Sequence, residues 1–328
     1  MKIFDGAQHP DEIDTALRAN LAQSLVHIAQ TFSELINQSD DEIGEMVERI
    51  KTTRQPASMF AHYFNLVIAA QNGSTGQILN HWDAMRNTSG GDGLSICPFN
   101  KTALGANYDL FPPLLFSEVG QSPMIPPSDA DFENFTSHLH QAFEIIKSTD
   151  AKLWDEINGC FNLICGSSKT KDPKIAGFGS VTSLMTWGAT FVNIDAHQTL
   201  LSVVNFLVHE TTHARLFGLS FDNPLVFNPL DQNYSSPLRS DPRPMDGIYH
   251  ATIVCARMAE FNHMLLKSNP LDAITSDELT QSINKNSKRF FDGYDVIKAD
   301  GDMSPLAAQI LSDAYDVVRA FSMTDARV

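Results

Sequence analysis

Two histidines spaced four residues apart could bind a metal ion. Residues 209–213 read His-Glu-Thr-Thr-His. On an α-helix, residues four apart project from the same face, so the imidazoles of His209 and His213 could share one divalent metal. In peptidases with this motif, a zinc ion polarises a water molecule and the glutamate, here Glu210, takes its proton. The motif therefore predicts a metal site with Glu210 as a candidate catalytic residue.

The third metal ligand lies outside the motif, because a catalytic metal usually has three protein ligands and open positions. A metzincin needs Gly at position 216 and His at position 219, but Leu216 and Leu219 stand there, which excludes that family. We favour His250, which begins the next predicted helix after a proline-rich segment. Four carboxylates remain open as alternatives, the last in a gluzincin-like arrangement: Asp222, Asp231, Asp241 and Glu260.

Arginines in the segment before His250 could bind a carboxylate. Arg239 and Arg243 lie among prolines, which restrict the backbone, so each loses little entropy when it grips a carboxylate with two hydrogen bonds. Arg257, on the same predicted helix as His250, is another candidate. These arginines suggest a carboxylate-bearing ligand at the metal. The alternative is a surface loop whose arginines pair with Asp241 or Asp246.

The helix that carries the motif is predicted to be buried on most sides. It runs from about Thr199 to Phe217, with His209 and His213 opposite an apolar stripe. Buried histidines that bind no metal need hydrogen-bond partners instead, and this alternative stays open. The stripe consists of Leu200, Val203, Val204, Leu207, Thr211 and Ala214.

The rest of the chain predicts an α+β fold that is predominantly helical, with a small β-sheet next to the buried motif helix. Helical periodicity dominates residues 11–86, and a proline-rich stretch follows. This stretch suggests an N-terminal helical region, 1–127, and a catalytic region, 128–328, although the two could form one compact domain. Three short strands are predicted, at 161–165, 175–181 and 189–194, with helices at 128–148 and 246–267 and two more towards the C-terminus.

Composition restricts the partners. The chain has 328 residues, is 43% hydrophobic and carries a formal net charge of -16, so a nucleic-acid backbone is repelled. No apolar run is long enough to span a membrane, and the N-terminus lacks the layout of a secretory signal. We therefore expect a cytoplasmic protein whose four cysteines are buried thiols rather than a disulfide framework.

Three segments together resemble a known family: residues 207–216 (LVHETTHARL), 236–244 (SPLRSDPRP) and 247–250 (GIYH). They are similar to the HExxH-type, 2-oxoglutarate-dependent peptide β-hydroxylases, which modify peptides in ribosomal peptide natural-product pathways. The resemblance covers roughly residues 200–260 and elsewhere extends only to the general layout.

The resemblance implies an Fe(II) enzyme that uses 2-oxoglutarate and oxygen to hydroxylate the β-carbon of a residue in a precursor peptide. It implies His209, His213 and His250 as metal ligands, and Arg239 and Arg243 match arginine positions of the family motif. Three histidines depart from the usual triad of two histidines and one carboxylate, so a carboxylate third ligand stays open.

Three functions remain in competition. In the oxygenase, Glu210 orients its neighbours or steers the substrate. In a zinc peptidase, Glu210 is the general base, but the missing secretory signal, the metzincin mismatch and the arginine-rich loop disfavour this function. The third is a non-catalytic module that binds a metal or a peptide.

Overall fold

A computed structural model describes residues 2–91, 93–116, 122–237, 241–268 and 274–322. The chain divides into two compact units. The first unit comprises residues 1–8, 138–155 and 199–328, and the second comprises residues 9–137 and 156–198. This division differs from the one expected at residue 127, because residues from the N-terminal region pair with strands later in the chain.

The described residues are mainly helical. The helices are α1 (Pro10–Thr31), α2 (Ser33–Ile36), α3 (Asp40–Thr52), α4 (Ala57–Gln71), α5 (Thr75–Asn87), α6 (Lys101–Leu104), α7 (Pro112–Leu115), α8 (Asp129–Thr149), α9 (Ala151–Cys160), α10 (Leu200–Leu219), α11 (Met245–Lys267), α12 (Ser276–Asp300) and α13 (Pro305–Ser322). The strands are β1 (Ser95–Pro98), β2 (Met124–Ile125), β3 (Phe161–Lys169), β4 (Ser180–Thr182), β5 (Gly188–Asn193), β6 (Asn233–Tyr234) and β7 (Arg243–Pro244).

A small mixed sheet lies in the second unit. Its order is β1-β3-β5-β4, and β2 pairs with β3 beyond the end of β1. Strand β3 pairs in parallel with both β1 and β5, whereas β4 pairs antiparallel with β5. The α+β, mostly helical fold class is thus confirmed. Of the predicted strands, that at 175–181 is reduced to β4, and β1 and β2 were not predicted.

Helix α10 begins and ends near its predicted limits. Thr199 caps its N-terminus, since its hydroxyl accepts a hydrogen bond from the backbone N–H of Ser202 and the Ser202 hydroxyl reciprocates. The predicted apolar stripe is buried, and the side bearing His209 and His213 is half-buried. No helix among the described residues is long and apolar enough to cross a membrane.

Helix α11 packs against α10 and, over most of its length, against α12. A hairpin precedes it, because β6 and β7 pair antiparallel with Tyr234 opposite Arg243. Helices α11 and α12 approach each other closely at Gly293 of α12. A Cβ added there would overlap the buried hydroxyl of Thr252 on α11. That hydroxyl is held in place by a 2.7 Å hydrogen bond to the carbonyl of Ile248.

We expect Gly293→Ala to destabilise the first unit by about 1–3 kcal/mol, because overpacking forces α11 and α12 apart. Gly44→Ala is the matched control, since Gly44 is also helical but a Cβ there meets nothing within 4 Å. That change should be neutral or stabilising by about 0.5–1 kcal/mol. Urea unfolding of the two variants compares them, and equal stabilities would show that α11 and α12 have room at Gly293.

Candidate metal centre

Three histidines meet on two helices of the first unit. His209 and His213 lie on α10 and His250 lies on the second turn of α11. The Nδ1 atoms of His213 and His250 are 3.4 Å apart, and their rings are stacked with centroids 5.6 Å apart. The rings of His209 and His213 meet edge-on, with centroids 4.8 Å apart. The fold therefore brings together the three imidazoles that the sequence predicted as ligands.

The spacing of His213 and His250 fits two ligands of one metal ion. Nitrogen ligands lie about 2.0–2.1 Å from a zinc ion, so two of them in a tetrahedral site are roughly 3.4 Å apart. Within the described residues, however, no group of three or more His, Cys, Asp or Glu side chains is arranged to hold a metal as it stands. The donor type of the cluster suits a divalent metal, and the 3.4 Å spacing of the His213 and His250 Nδ1 atoms also fits a hydrogen bond between the two rings.

Burial differs among the three rings. The side chain of His209 is 40% exposed, whereas that of His250 is 6% exposed. Burial lowers the pKa of His250, although the nearby carboxylate of Asp246 partly opposes this effect. His250 therefore stays neutral at neutral pH, which is the form of imidazole that binds a metal.

The three histidines line one cavity of about 450 Å³. A larger hollow of about 700 Å³, between α8 and the end of α11, has only one histidine in its described lining. We regard the smaller cavity as the candidate site, because all three histidines are in its lining. Its imidazole-bearing and charged lining residues are His209, His213, Arg243, Asp246, His250 and Arg289.

Asp246 and Arg289 were not predicted as site residues. Asp246 lies one helical turn before His250, with its Oδ1 3.9 Å from Nε2 of that ring. Spacing of four residues on one helix could have identified it. Arg289 reaches the cavity from α12, and nothing in its local sequence indicates this position.

The predicted arginines have different positions. Arg243 lines the cavity and forms a 2.7 Å ion pair with Asp241, while its buried Nε has no hydrogen-bond partner among the described residues. Arg239 lies outside the described residues. Arg257 is absent from the described lining and donates a hydrogen bond to the carbonyl of Ile3 instead.

The alternative third ligands are not in the described lining of the cavity. Asp222, Asp231 and Asp241 are exposed in the segment between α10 and α11. Glu260 is buried, its carboxylate accepts a hydrogen bond from the backbone N–H of Ile3, and burial raises its pKa to about 7. Among the predicted third ligands, only His250 shares the described lining with the α10 histidines.

Glu210 is 1% exposed and is not part of the described lining. Its Oε1 lies 3.7 Å from Nε2 of His209. The carboxylate therefore lies beside the imidazole of His209, a position compatible with orienting that ring and with a general base next to the cavity.

The N-terminal segment contacts both α10 and α11. The ring of Phe4 is 3% exposed and lies between two guanidinium groups, 5.0 Å from that of Arg215 on α10 and 5.1 Å from that of Arg257 on α11. Arg215 also donates a 2.8 Å hydrogen bond to the carbonyl of Gln8. We call residues 2–8 the N-terminal clamp, because they connect the two helices that carry the histidines.

Comparison with models of known protein families gives no match, and comparison with curated proteins gives none either. The chemistry of the site must therefore be argued from its own residues.

We expect His209→Ala and His213→Ala to abolish stoichiometric metal binding and His250→Ala to weaken it or remove activity, because each change deletes a donor from the cluster. His27→Ala, which removes an exposed histidine of α1, is the control. Metal content after dialysis and calorimetric titration with Zn²⁺ or Co²⁺ measure the effect. Full metal occupancy in either α10 variant would disprove the site.

We expect Phe4→Ala to destabilise the first unit by about 3 kcal/mol, because a buried aromatic ring is lost. The metal affinity of the folded variant should fall about tenfold, which corresponds to about 1.4 kcal/mol, because Phe4 no longer contacts both α10 and α11. Phe227→Ala is the matched control, because Phe227 is 52% exposed in the same unit. Unchanged affinity in Phe4→Ala would restrict the N-terminal clamp to a role in stability.

Proposed function

We propose that this chain is an Fe(II)- and 2-oxoglutarate-dependent oxygenase that hydroxylates the β-carbon of a residue in a ribosomally made precursor peptide. The observation that carries the proposal is one cavity lined by three imidazoles and by two arginines, Arg243 and Arg289. We propose the cytoplasm as its compartment, which agrees with the four free thiols.

The three histidines are the proposed ligands of the metal. Bound there, Fe(II) with 2-oxoglutarate and oxygen would supply the oxidation that converts a C–H bond into C–OH, with succinate and carbon dioxide as the other products. A site of this class needs free coordination positions for the co-substrate and for oxygen, which a three-residue ligand set leaves. Asp246 also lines the cavity, so a triad of two histidines and one carboxylate can form without a residue from outside it.

The arginines support a dicarboxylate co-substrate. One carboxylate of 2-oxoglutarate belongs to its keto-acid end, and the distal one needs a cation in a partly desolvated cavity. Arg243 has a buried Nε without a partner among the described residues, and Arg289 forms no ion pair with any of them.

Glu210 would have different roles in the oxygenase and in the zinc peptidase. A peptidase needs this carboxylate beside the metal-bound water, where it acts as general base. In this chain the carboxylate is buried and is not in the described lining of the cavity. Its burial supports a positioning role towards His209.

Turnover should require Fe(II), oxygen and 2-oxoglutarate together, release succinate, and add about one oxygen atom, roughly 16 Da, to the peptide without cleaving it. Glu210→Gln should keep the metal and lose only part of the activity. Mass spectrometry of a precursor peptide with a parallel succinate assay tests both points. Cleavage of the peptide with Zn²⁺ alone, stopped by Glu210→Gln, would establish the peptidase instead.

Arg243→Ala should raise the 2-oxoglutarate requirement by about tenfold, which corresponds to about 1.4 kcal/mol. The effect is moderate because the side chain is 37% exposed and solvent screens its charge. Arg243→Lys should rescue poorly, since an ammonium cannot form the two-pronged contact. Arg289→Ala is compared in the same succinate assay, and Arg86→Ala, which removes an exposed arginine of the second unit, is the control. A wild-type requirement in both Arg243→Ala and Arg289→Ala would contradict a carboxylate site in this cavity.

A further inference from the structure

Two cysteines of the second unit face each other across the sheet. Cys97 on β1 and Cys165 on β3 are directly opposite in the parallel register. Adjacent strands lie about 4.7–4.9 Å apart, and residues opposite each other project from the same face of the sheet. This spacing is within the roughly 4.4–6.8 Å between Cα atoms that a disulfide spans. Both thiols are free in the structure.

The two thiols differ in access to solvent. Cys165 is 0% exposed and belongs to a core of aromatic and aliphatic side chains. Cys97 is half-buried and lines a cavity of about 400 Å³. Asn107 and Asn162 contribute polar groups to the same cavity. A small polar oxidant can therefore reach the Cys97 thiol directly. The buried Cys165 thiol can react only with Cys97 after Cys97 has been oxidised.

The two thiols also differ in acidity. The neighbouring Cys165 thiol lowers the pKa of Cys97, whereas burial raises the pKa of Cys165. The accessible thiol is thus the one that ionises more easily. Oxidation-sensitive cysteines are accessible thiols of low pKa that lie beside a second thiol.

We propose that Cys97 and Cys165 form a peroxide-reactive dithiol, in which Cys97 is oxidised first and Cys165 closes an intramolecular disulfide. The Cys97 thiolate attacks one oxygen of hydrogen peroxide and breaks the O–O bond, which yields the Cys97 sulfenic acid and hydroxide. The Cys165 sulfur then attacks the Cys97 sulfur and expels a second hydroxide. The thiol protons convert both hydroxides to water, so two thiols lose two electrons to one peroxide.

We expect the disulfide to be reversible, because the pair joins the edge strand β1 to its neighbour β3. Strand β1 is four residues long and is at the edge of the sheet, so it can shift towards β3 when the bond forms. The bond then crosses two directly paired strands, a strained arrangement that exogenous thiols reduce readily. This modification site is independent of the proposed oxygenase activity.

The test treats the purified full chain with a small molar excess of hydrogen peroxide, stops the reaction with catalase and alkylates the remaining thiols under denaturing conditions. We expect a loss of about 2 Da before alkylation, a peptide pair joined through Cys97 and Cys165, and full reversal by dithiothreitol. Cys97→Ser should abolish the bond. Cys160→Ala is the matched control, because Cys160 is a buried cysteine of the same unit, and the bond should form unchanged in it.

Cys165→Ser separates the two steps. It should leave Cys97 at the sulfenic acid, which dimedone traps, and Cys165→Ala replaces it if the serine variant is poorly folded by circular dichroism. The proposal is overturned if the native chain forms no bond under excess peroxide, or if the bond joins Cys160 or Cys255 instead. It is also overturned if the 97–165 bond forms equally fast in urea, since the folded sheet would then play no part.

Discussion

The candidate site depends on how closely α10 and α11 are held together. Arg215 and Arg257 are buried charges, 2% and 6% exposed, and a buried guanidinium is costly unless its donors and its positive charge are matched. The N-terminal clamp supplies the face of Phe4 and backbone carbonyls to both of them. Because one charge belongs to each helix, satisfying both fixes the helices to the same segment. The 3.4 Å contact between His213 and His250 joins the same two helices, which also pack directly against each other.

The unequal burial of the three histidines suggests how such a site is assembled. His250 is enclosed and neutral, so it needs neither deprotonation nor desolvation when a metal arrives. His213 already lies against it. His209 is the exposed member, and its imidazole adjoins the carboxylate of Glu210, which can orient the ring. Under the proposed function, His213 and His250 would hold the metal first, and His209 would complete the ligand set.

Local features of the sequence predicted the main helices well, whereas contacts distant in sequence escaped prediction. The spacing of His209 and His213 and the Thr199 cap are properties of one helix, so the pattern reveals them. Strand β1 is too short to show a period, and only its parallel pairing with β3 makes it a strand. Arg289 reaches the cavity from α12, and Phe4 adopts a positive φ of 71° between two arginines. Both depend on packing between helices, which periodicity does not encode.

The charge of the cavity contrasts with that of the whole chain. The net charge is -16, yet the described lining of the cavity combines Arg243 and Arg289 with the single carboxylate Asp246. Salt screens charges beyond about 8–10 Å, so a ligand inside the cavity responds mainly to the lining, whereas an approaching peptide meets the acidic surface first. Under the proposed function, the net negative charge would favour the encounter with a basic peptide, and the two arginines would bind the dicarboxylate co-substrate inside the cavity.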